Sequence, residues 1–290
     1  TDALNDHPRQ SSRATASEGP MQRTLIALVV ALIVLPFAAA HGANAPIMAN
    51  NGMVVSQEEK ASRIGADILA NGGTAVDAAV ATAFALAVTH PTAGNIGGGG
   101  FLLFRPNSGD PLAYDFRETA PAAARADMWL NEGTYDFERH HFSHLAVGVP
   151  GTVAGLHAAW QAHGRLPWKD LVAPAITLAR DGFVVTHELA RSLRAVLPRM
   201  SKYPASIAQF TRKGTPLEPG DVLRQPDLAE TLTRIAAEGP AGFYTGRTAD
   251  LMVAEMKAHQ GIITHADLSA YAAKVRTPLR GTYRGLNIIT

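Results

Sequence analysis

The chain has 290 residues, of which 47% are hydrophobic and 18% are charged, and its formal net charge at pH 7 is +1. This profile is typical of a globular protein with ample apolar surface for a core, and it excludes a disordered or coiled-coil chain. The small net charge gives no electrostatic reason to expect a nucleic-acid partner. The absence of cysteine excludes a thiol nucleophile, disulfides and thiolate metal sites.

The N-terminal part divides into a polar stretch and an export signal. Residues 1–20 are polar, and we expect them to be disordered or to derive from a misassigned start. Met21 then precedes a positive charge at Arg23, an apolar run over 25–37 and small residues that suit a cleavage site. Because a membrane span needs about 20 apolar residues, we interpret residues 21–45 as a cleaved signal peptide rather than an anchor. The mature protein is then expected to be exported, as a periplasmic or extracellular protein.

Two helices are predicted at the start of the mature chain. In each, a hydroxyl residue followed three positions later by an acid gives the pattern of a capping box. Asn71-Gly72-Gly73 ends the first helix, and His90-Pro91 ends the second. The second helix is apolar nearly all round from 75 to 88, which predicts burial on every side. The two pairs of capping residues are Ser56 with Glu59 and Thr74 with Asp77.

Two apolar runs follow the second helix. Phe101–Phe104 and residues 112–116 suit strands of a sheet that is covered on both faces. Residues 122–146 show no periodicity and are expected to be irregular. Residues 198–225 are expected to form a long loop, because Pro, Gly and Lys recur there.

The rest of the chain is predicted to be mainly helical up to a final strand over residues 283–290, with turns at Gly281 and Gly285. Because the sequence stops inside that apolar strand, we expect it to be a fragment, or to continue in a second chain. The predicted helices are 152–163, 168–180, 186–197, 227–238, 248–259 and 264–273.

Two further patterns have both a structural and a functional reading. The glycine run over 94–100 lacks the Gly-Lys-Ser/Thr of a phosphate loop and precedes a strand, so close backbone approach is favoured over phosphate binding. His140, His141 and His144 are not part of an HExxH motif, so a solvated cluster is favoured over a metal site. No Gly-x-Ser-x-Gly nucleophile elbow occurs in the sequence.

Arg117 is the charged residue whose position points most directly to a ligand. It follows an apolar strand and lies between Asp115 and Glu118, two acids that we interpret as ion-pairing or capping groups. One reading is a buried arginine that pairs with either acid. The other is a guanidinium that forms a bidentate pair with a substrate carboxylate in the wall of a pocket. The residues alone leave both readings open.

At these residues the sequence resembles the γ-glutamyltransferases, also called γ-glutamyltranspeptidases or glutathione hydrolases. The resemblance is carried by separate motifs in family order over about residues 51–290, which together are far more specific than any one motif. The matching motifs lie at 72–79, 89–91, 94–101, 115–121, 144–146, 150–155, 178–183, 239–244 and 276–278.

The resemblance implies an α/β (α+β) fold, a four-layer αββα sandwich of the N-terminal-nucleophile hydrolase type, of which residues 46–290 would be an incomplete large-chain region. In that family one precursor cleaves itself into a large and a small chain, and the cut exposes a threonine that attacks the γ-glutamyl carbonyl. Backbone amides stabilise the oxyanion. Water, an amino acid or a peptide then accepts the γ-glutamyl group of glutathione or another γ-glutamyl substrate. The resemblance implies no cofactor and no metal.

Only the large-chain region is matched. The nucleophilic threonine is therefore expected beyond Thr290, in the small chain that would be the partner, and residues 1–290 alone are expected to be inactive. The one substrate contact carried over is Arg117, which matches the family arginine that binds the α-carboxylate of the substrate. Two alternatives stay open, namely a related acylase of glutaryl-type amides and a non-catalytic large-chain scaffold.

Overall fold

The computed structural model describes residues 47–290. The predictions for residues 1–20 and 21–45 lie outside this part of the chain. Within residues 47–290, none of the helices combines the length and the apolar character that crossing a bilayer requires.

Helix α1, Glu59–Ala70, begins later than the capping pattern predicts. Glu58 is the N-cap, and its carboxylate accepts a hydrogen bond from the Ala61 N–H at 2.9 Å. The Ser56 hydroxyl lies instead 2.7 Å from a serine hydroxyl within α1. The predicted Ser56–Glu59 capping box is therefore wrong, because a nearby carboxylate takes the acceptor position that the serine would occupy.

Helix α2, Ala75–Thr89, lies at the centre of the packing. The predicted capping box of Thr74 and Asp77 is confirmed, with both reciprocal hydrogen bonds present. The helix packs against α1, against α4 (Thr152–His163) and against α5 (Trp168–Asp181). Most of its side chains are buried, so the prediction of burial on nearly every side is confirmed. An almost uncharged helix can be stable only in such a position.

The main sheet has three antiparallel strands in the order β1-β2-β9. Strand β1 is Phe101–Phe104, β2 is Leu112–Asp115 and β9 is Lys274–Arg276. The two apolar runs are therefore confirmed as strands, and the second strand ends at Asp115. Strand β9 comes from the far end of the described chain, and its pairing could not be read from local pattern.

The two faces of this sheet differ in burial. On the inner face Tyr114 is 3% exposed, and the Phe116 ring just after β2 packs so closely on Gly155 of α4 that a Cβ there would overlap it. On the outer face Phe101 is 65% and Leu103 is 48% exposed. The predicted cover on both faces is wrong for the residues that the structure describes.

Two stretches expected to be irregular contain short regular elements. Residues 122–146 include a two-stranded hairpin whose turn places Gly133 at φ 80°, and residues 198–225 include another whose turn places Gly214 at φ 88°. Such elements are too short for a hydrophobic period to develop, although an X-Gly turn is a hairpin signal. The added elements are β3 (Leu130–Asn131), β4 (Thr134–Tyr135), α3 (Phe137–Phe142), a 3-10 turn (His144–Ala146), α7 (Pro204–Phe210), β6 (Thr211–Arg212), β7 (Thr215–Pro216) and β8 (Val222–Leu223).

All six predicted later helices are confirmed, with shifts of a few residues at most at their ends. The predicted final strand is also present, and it pairs antiparallel with an upstream strand across a turn at Gly285. The remaining elements are β5 (Phe183–Val184), α6 (His187–Met200), α8 (Pro226–Glu238), α9 (Ala241–Tyr244), α10 (Gly246–Ala258), α11 (His265–Ala270), β10 (Arg280–Tyr283) and β11 (Leu286–Ile289).

Candidate substrate-binding site

The glycine-rich loop before β1 is tied to the start of α4. The Asn95 side-chain oxygen accepts hydrogen bonds from the Gly98 N–H at 2.9 Å and from the Thr152 hydroxyl at 2.6 Å. The Gly98 carbonyl accepts from the N–H groups of Gly151 at 2.7 Å and Thr152 at 3.2 Å. These bonds hold the loop against α4 from both sides.

The glycines let two backbones touch. A Cβ at Gly99 would lie 2.8 Å from the Glu118 nitrogen and would also overlap the Phe116 carbonyl, and a Cβ at Gly151 would overlap the same carbonyl. Real Cβ atoms do not approach backbone atoms so closely, so only glycine fits. The predicted close approach is confirmed, and it brings the segment after β2, with Arg117, against the glycine loop.

Arg117 is exposed and makes only one ion pair within residues 47–290. Its side chain is 71% exposed, and its Nε lies 3.2 Å from the Glu118 Oε2. Within the described chain, its guanidinium donates no hydrogen bond of ordinary geometry. Asp115 pairs with Arg276 instead, at 2.7 Å. Of the reading as a buried ion pair, the burial and the Asp115 partner are therefore wrong, whereas the Glu118 pairing is present.

The two acids beside Arg117 have separate tasks. The Arg117 backbone N–H donates to Asp115, and together with the Arg276 guanidinium it holds the pKa of the Asp115 carboxyl below its usual range. Asp115 therefore stays ionised and committed to Arg276 at neutral pH. Glu118 is half-buried against the glycine loop. An exposed pair such as Arg117–Glu118 contributes about 0–1 kcal/mol, so a ligand carboxylate could replace it at little cost.

Tyr271 fixes the backbone of Arg117 from the other side. Its hydroxyl donates to the Arg117 carbonyl at 2.8 Å, and its ring stacks on Tyr244 with centroids 5.9 Å apart. Burial, with the neighbouring carboxylates of Asp115 and Glu118, raises the pKa of Tyr271 to about 12. The phenol therefore keeps its proton, and its donor role, throughout the physiological pH range. Sequence reasoning missed Tyr271, because 154 positions separate it from its partner.

The outer face of the sheet leads directly to Arg117. Side chains alternate along β2, so Asp115 shares the outer face with Phe101, whereas Phe116 faces inward. Arg117 is two residues after Asp115, so its side chain is on the same, outer side of the chain. The exposed guanidinium thus stands at the end of an exposed, partly apolar sheet face, next to the glycine loop.

The three histidines predicted as a cluster divide between two sets of contacts, although His141 and His144 line the same cavity. His140 lies with its Nδ1 2.8 Å from the Tyr135 hydroxyl, and its ring is 4.5 Å from the His141 ring. His144 instead has its Nε2 3.1 Å from the Glu255 carboxylate, on a different element.

Comparison with known proteins gives a consistent result. The family model described as Gamma-glutamyltranspeptidase matches residues 61–290. The chain is 48% identical to a glutathione hydrolase proenzyme of Escherichia coli (strain K12), over 84% of this chain and 42% of that protein. It is 41% identical to glutathione hydrolase 3 of Arabidopsis thaliana, over 79% and 36% respectively. The chain thus spans less than half the length of these curated relatives.

Solved structures agree with the sequence matches. The Helicobacter pylori gamma-glutamyltranspeptidase superposes with a TM-score of 0.83 at 43% identity, over 84% of this chain and 71% of that one. A cephalosporin acylase from Bacillus halodurans superposes with a TM-score of 0.75 at 30% identity, over 86% and 48%. These likenesses confirm the α+β class and the N-terminal-nucleophile hydrolase type of fold expected from the sequence.

Proposed function

This chain belongs to the gamma-glutamyltranspeptidase family, and we propose that it is the large-chain part of an enzyme that hydrolyses glutathione and other γ-glutamyl amides or transfers their γ-glutamyl group. The observation that carries the proposal is Arg117. It lies in a matched motif, its guanidinium is exposed, and its backbone is fixed between the glycine loop and Tyr271.

In this proposal Arg117 binds the α-carboxylate of the substrate. A hydrogen bond to a charged group contributes about 1.5–3 kcal/mol, which exceeds the value of the exposed Glu118 pair. The planar guanidinium can donate hydrogen bonds to both carboxylate oxygens at once, which fixes the amino-acid end of the substrate and thereby aims its γ-carbonyl. The role of this chain is thus binding and orientation.

Bond cleavage is assigned to a partner segment from the same precursor. There a threonine hydroxyl would attack the γ-carbonyl, and its own α-amine would take the hydroxyl proton and pass it to the leaving amine as the amide C–N bond breaks. Water, an amino acid or a peptide would then accept the γ-glutamyl group from the resulting ester and release the threonine hydroxyl. The word proenzyme in the names of the relatives supports a precursor of this kind. Residues 1–290 alone would then be inactive. Export through the signal at residues 21–45 is part of the same proposal.

The outer sheet face is the proposed docking surface for that partner. Leu103 is 48% exposed there, and Leu251 on α10 is exposed to the same extent away from the sheet. Leu103→Ser should weaken assembly by about 1 kcal/mol, or about fivefold, since about half of a leucine's burial energy is at stake. Leu251→Ser should leave assembly unchanged. The fraction of the two chains that co-purify, followed over a series of dilutions, distinguishes the variants. Equal weakening of assembly by both substitutions would argue against docking at this face.

Tyr271 should tune substrate binding through Arg117. Tyr271→Phe removes one hydrogen bond of about 1 kcal/mol, so in protein expressed from the complete gene KM for a γ-glutamyl anilide should rise about fivefold while kcat changes little. Tyr203 offers a matched control, because its hydroxyl donates to the Phe142 carbonyl at 2.6 Å and Tyr203→Phe removes a comparable bond elsewhere. If both variants raise KM equally, Tyr271 has no special link to Arg117.

A second candidate function is supported by the likeness to the cephalosporin acylase. Such an acylase would act on glutaryl-type amides, which lack the α-amino group of a γ-glutamyl substrate. The test uses protein expressed from the complete gene, assayed on γ-glutamyl and glutaryl anilides side by side. We expect turnover of the γ-glutamyl compound. Preference for the glutaryl compound would indicate the acylase, and turnover of neither would indicate a non-catalytic scaffold.

A further inference from the structure

We propose that His144, Glu255 and His259 form a binding site for a divalent first-row transition metal of the zinc class. Glu255 and His259 lie one turn apart at the C-terminal end of α10, and His144 begins the 3-10 turn His144–Ala146. The Glu255 Oε1 lies 3.1 Å from the His144 Nε2 and 3.4 Å from the His259 Nε2. All three ligand atoms lie within 4.8 Å of one another.

These distances fit a tetrahedral metal. Zinc–nitrogen and zinc–oxygen bonds are about 2.0–2.2 Å long, so two ligand atoms of a tetrahedral site lie about 3.3 Å apart. Two of the three edges already have that length. The third edge needs a modest rotation of the His144 and His259 rings, which are stacked at 4.6 Å. Two histidines and one glutamate are a known zinc ligand set, and imidazole favours zinc over magnesium or calcium.

The backbone that carries His144 is well fixed. The Ser143 hydroxyl caps the turn by accepting from the Leu145 N–H at 3.2 Å, and the Tyr203 hydroxyl donates to the neighbouring Phe142 carbonyl. Gly261 approaches His144 so closely that a Cβ at that position would lie 3.1 Å from the His144 Cβ. The His144 side chain is only 23% exposed. Such support limits the reorganisation that metal binding would require.

The site opens onto a cavity of about 730 Å³ that is also lined by Lys202, Tyr203 and Ser143. The cavity gives a metal ion an entry path, and it leaves a coordination position free for water or an exogenous anion. Three protein ligands with one open position are typical of zinc sites that bind a further ligand. A closed structural site would instead need a fourth protein ligand.

The competing reading is a surface ion pair, in which protonated histidines surround a carboxylate. The protein contains a natural control for it, because His265 and Asp250 form an exposed pair at 2.8 Å that belongs to no three-ligand group among residues 47–290. Surface pairs of that kind contribute about 0–1 kcal/mol and bind no metal specifically. A metal site therefore predicts saturable zinc binding, whereas a surface ion pair predicts none.

The test is titration of Zn²⁺ into chelator-treated protein, followed by calorimetry and, with Co²⁺, by the visible absorption of tetrahedral cobalt. We expect one equivalent to bind. Removal of a residue that only supports a metal ligand typically weakens metal binding about 10–100-fold. We expect at least that loss of zinc affinity for each ligand variant, namely His144→Ala, Glu255→Gln and His259→Ala. His265→Ala and His140→Ala should bind as the parent does, because neither side chain lines the cavity beside the three ligands.

Loss of folding cannot imitate this result. Glu255 and His259 are 59% and 55% exposed, so their variants should keep the unfolding temperature of the parent. Absence of saturable zinc binding by the parent would overturn the proposal. It would also be overturned if the His265 or the His140 variant lost as much affinity as the three ligand variants.

Discussion

Replacing Asp77 with alanine should lower the free energy of unfolding by about 3 kcal/mol. The Asp77 carboxylate is fully buried, and it accepts from the N–H groups of Thr74 at 2.8 Å, Arg165 at 3.0 Å and Leu166 at 3.4 Å. It therefore both caps α2 and holds the loop between α4 and α5 against the start of α2. Alanine would leave these donors without their acceptor at a site with little access to water.

The second capping box is a matched control for this prediction. Asp267 completes the same Thr-x-x-Asp capping box with Thr264 at the start of α11, but it is only partly buried, and it also accepts a hydrogen bond from the Ala122 N–H at 2.7 Å. Asp267→Ala should cost about 1–2 kcal/mol, which is less than Asp77→Ala, because solvent can reach the donors that lose their acceptor. Urea unfolding of both variants gives the comparison. Equal losses would mean that burial of Asp77 adds nothing to its capping role.

In protein expressed from the complete gene, replacing Arg117 with lysine should lower kcat/KM for a γ-glutamyl anilide by about 10–150-fold, the equivalent of about 1.5–3 kcal/mol. Lysine keeps the charge but loses the planar fork that matches a carboxylate. The Arg180–Asp181 pair provides the control, because it is also an exposed pair of adjacent residues, with its Nε and Oδ1 2.7 Å apart. Arg180→Lys should leave kcat/KM unchanged.

A substrate change makes the same prediction sharper. A 4-aminobutanoyl anilide lacks the α-carboxylate, so the parent and the Arg117→Lys enzyme should turn it over at similar, low rates. The loss caused by Arg117→Lys would then depend on the presence of the carboxylate, which is a coupling between residue and ligand. An equal loss on both substrates would mean that Arg117 acts on something other than the α-carboxylate.

The elements predicted correctly are those whose signals are local. Helix α2 combines two such signals: its capping box marks the start of the helix, and its long apolar run indicates burial. The start of α1 failed because Glu58 and Ser56 compete for one acceptor position, a choice that depends on the geometry of the turn. Strand β8 was missed because its partner, Phe183–Val184, lies far upstream and only tertiary pairing makes it a strand.

The candidate site follows the same division. Arg117 could be found from its motif, and the glycines could be read as points of close approach. The exposure of Arg117 could not be foreseen, since it depends on what covers the outer sheet face. Tyr271 is 154 positions from Arg117, and His144 is 111 positions from Glu255. A local sequence pattern gives no sign of contacts between residues so far apart.

The structure of the protein from the complete gene with glutamate bound would show whether Arg117 holds the α-carboxylate. We predict that the terminal nitrogens of Arg117 lie within hydrogen-bonding distance of both α-carboxylate oxygens, with Glu118 displaced from the guanidinium. A complex in which Arg117 still contacts only Glu118, while the α-carboxylate is held by other residues, would contradict it.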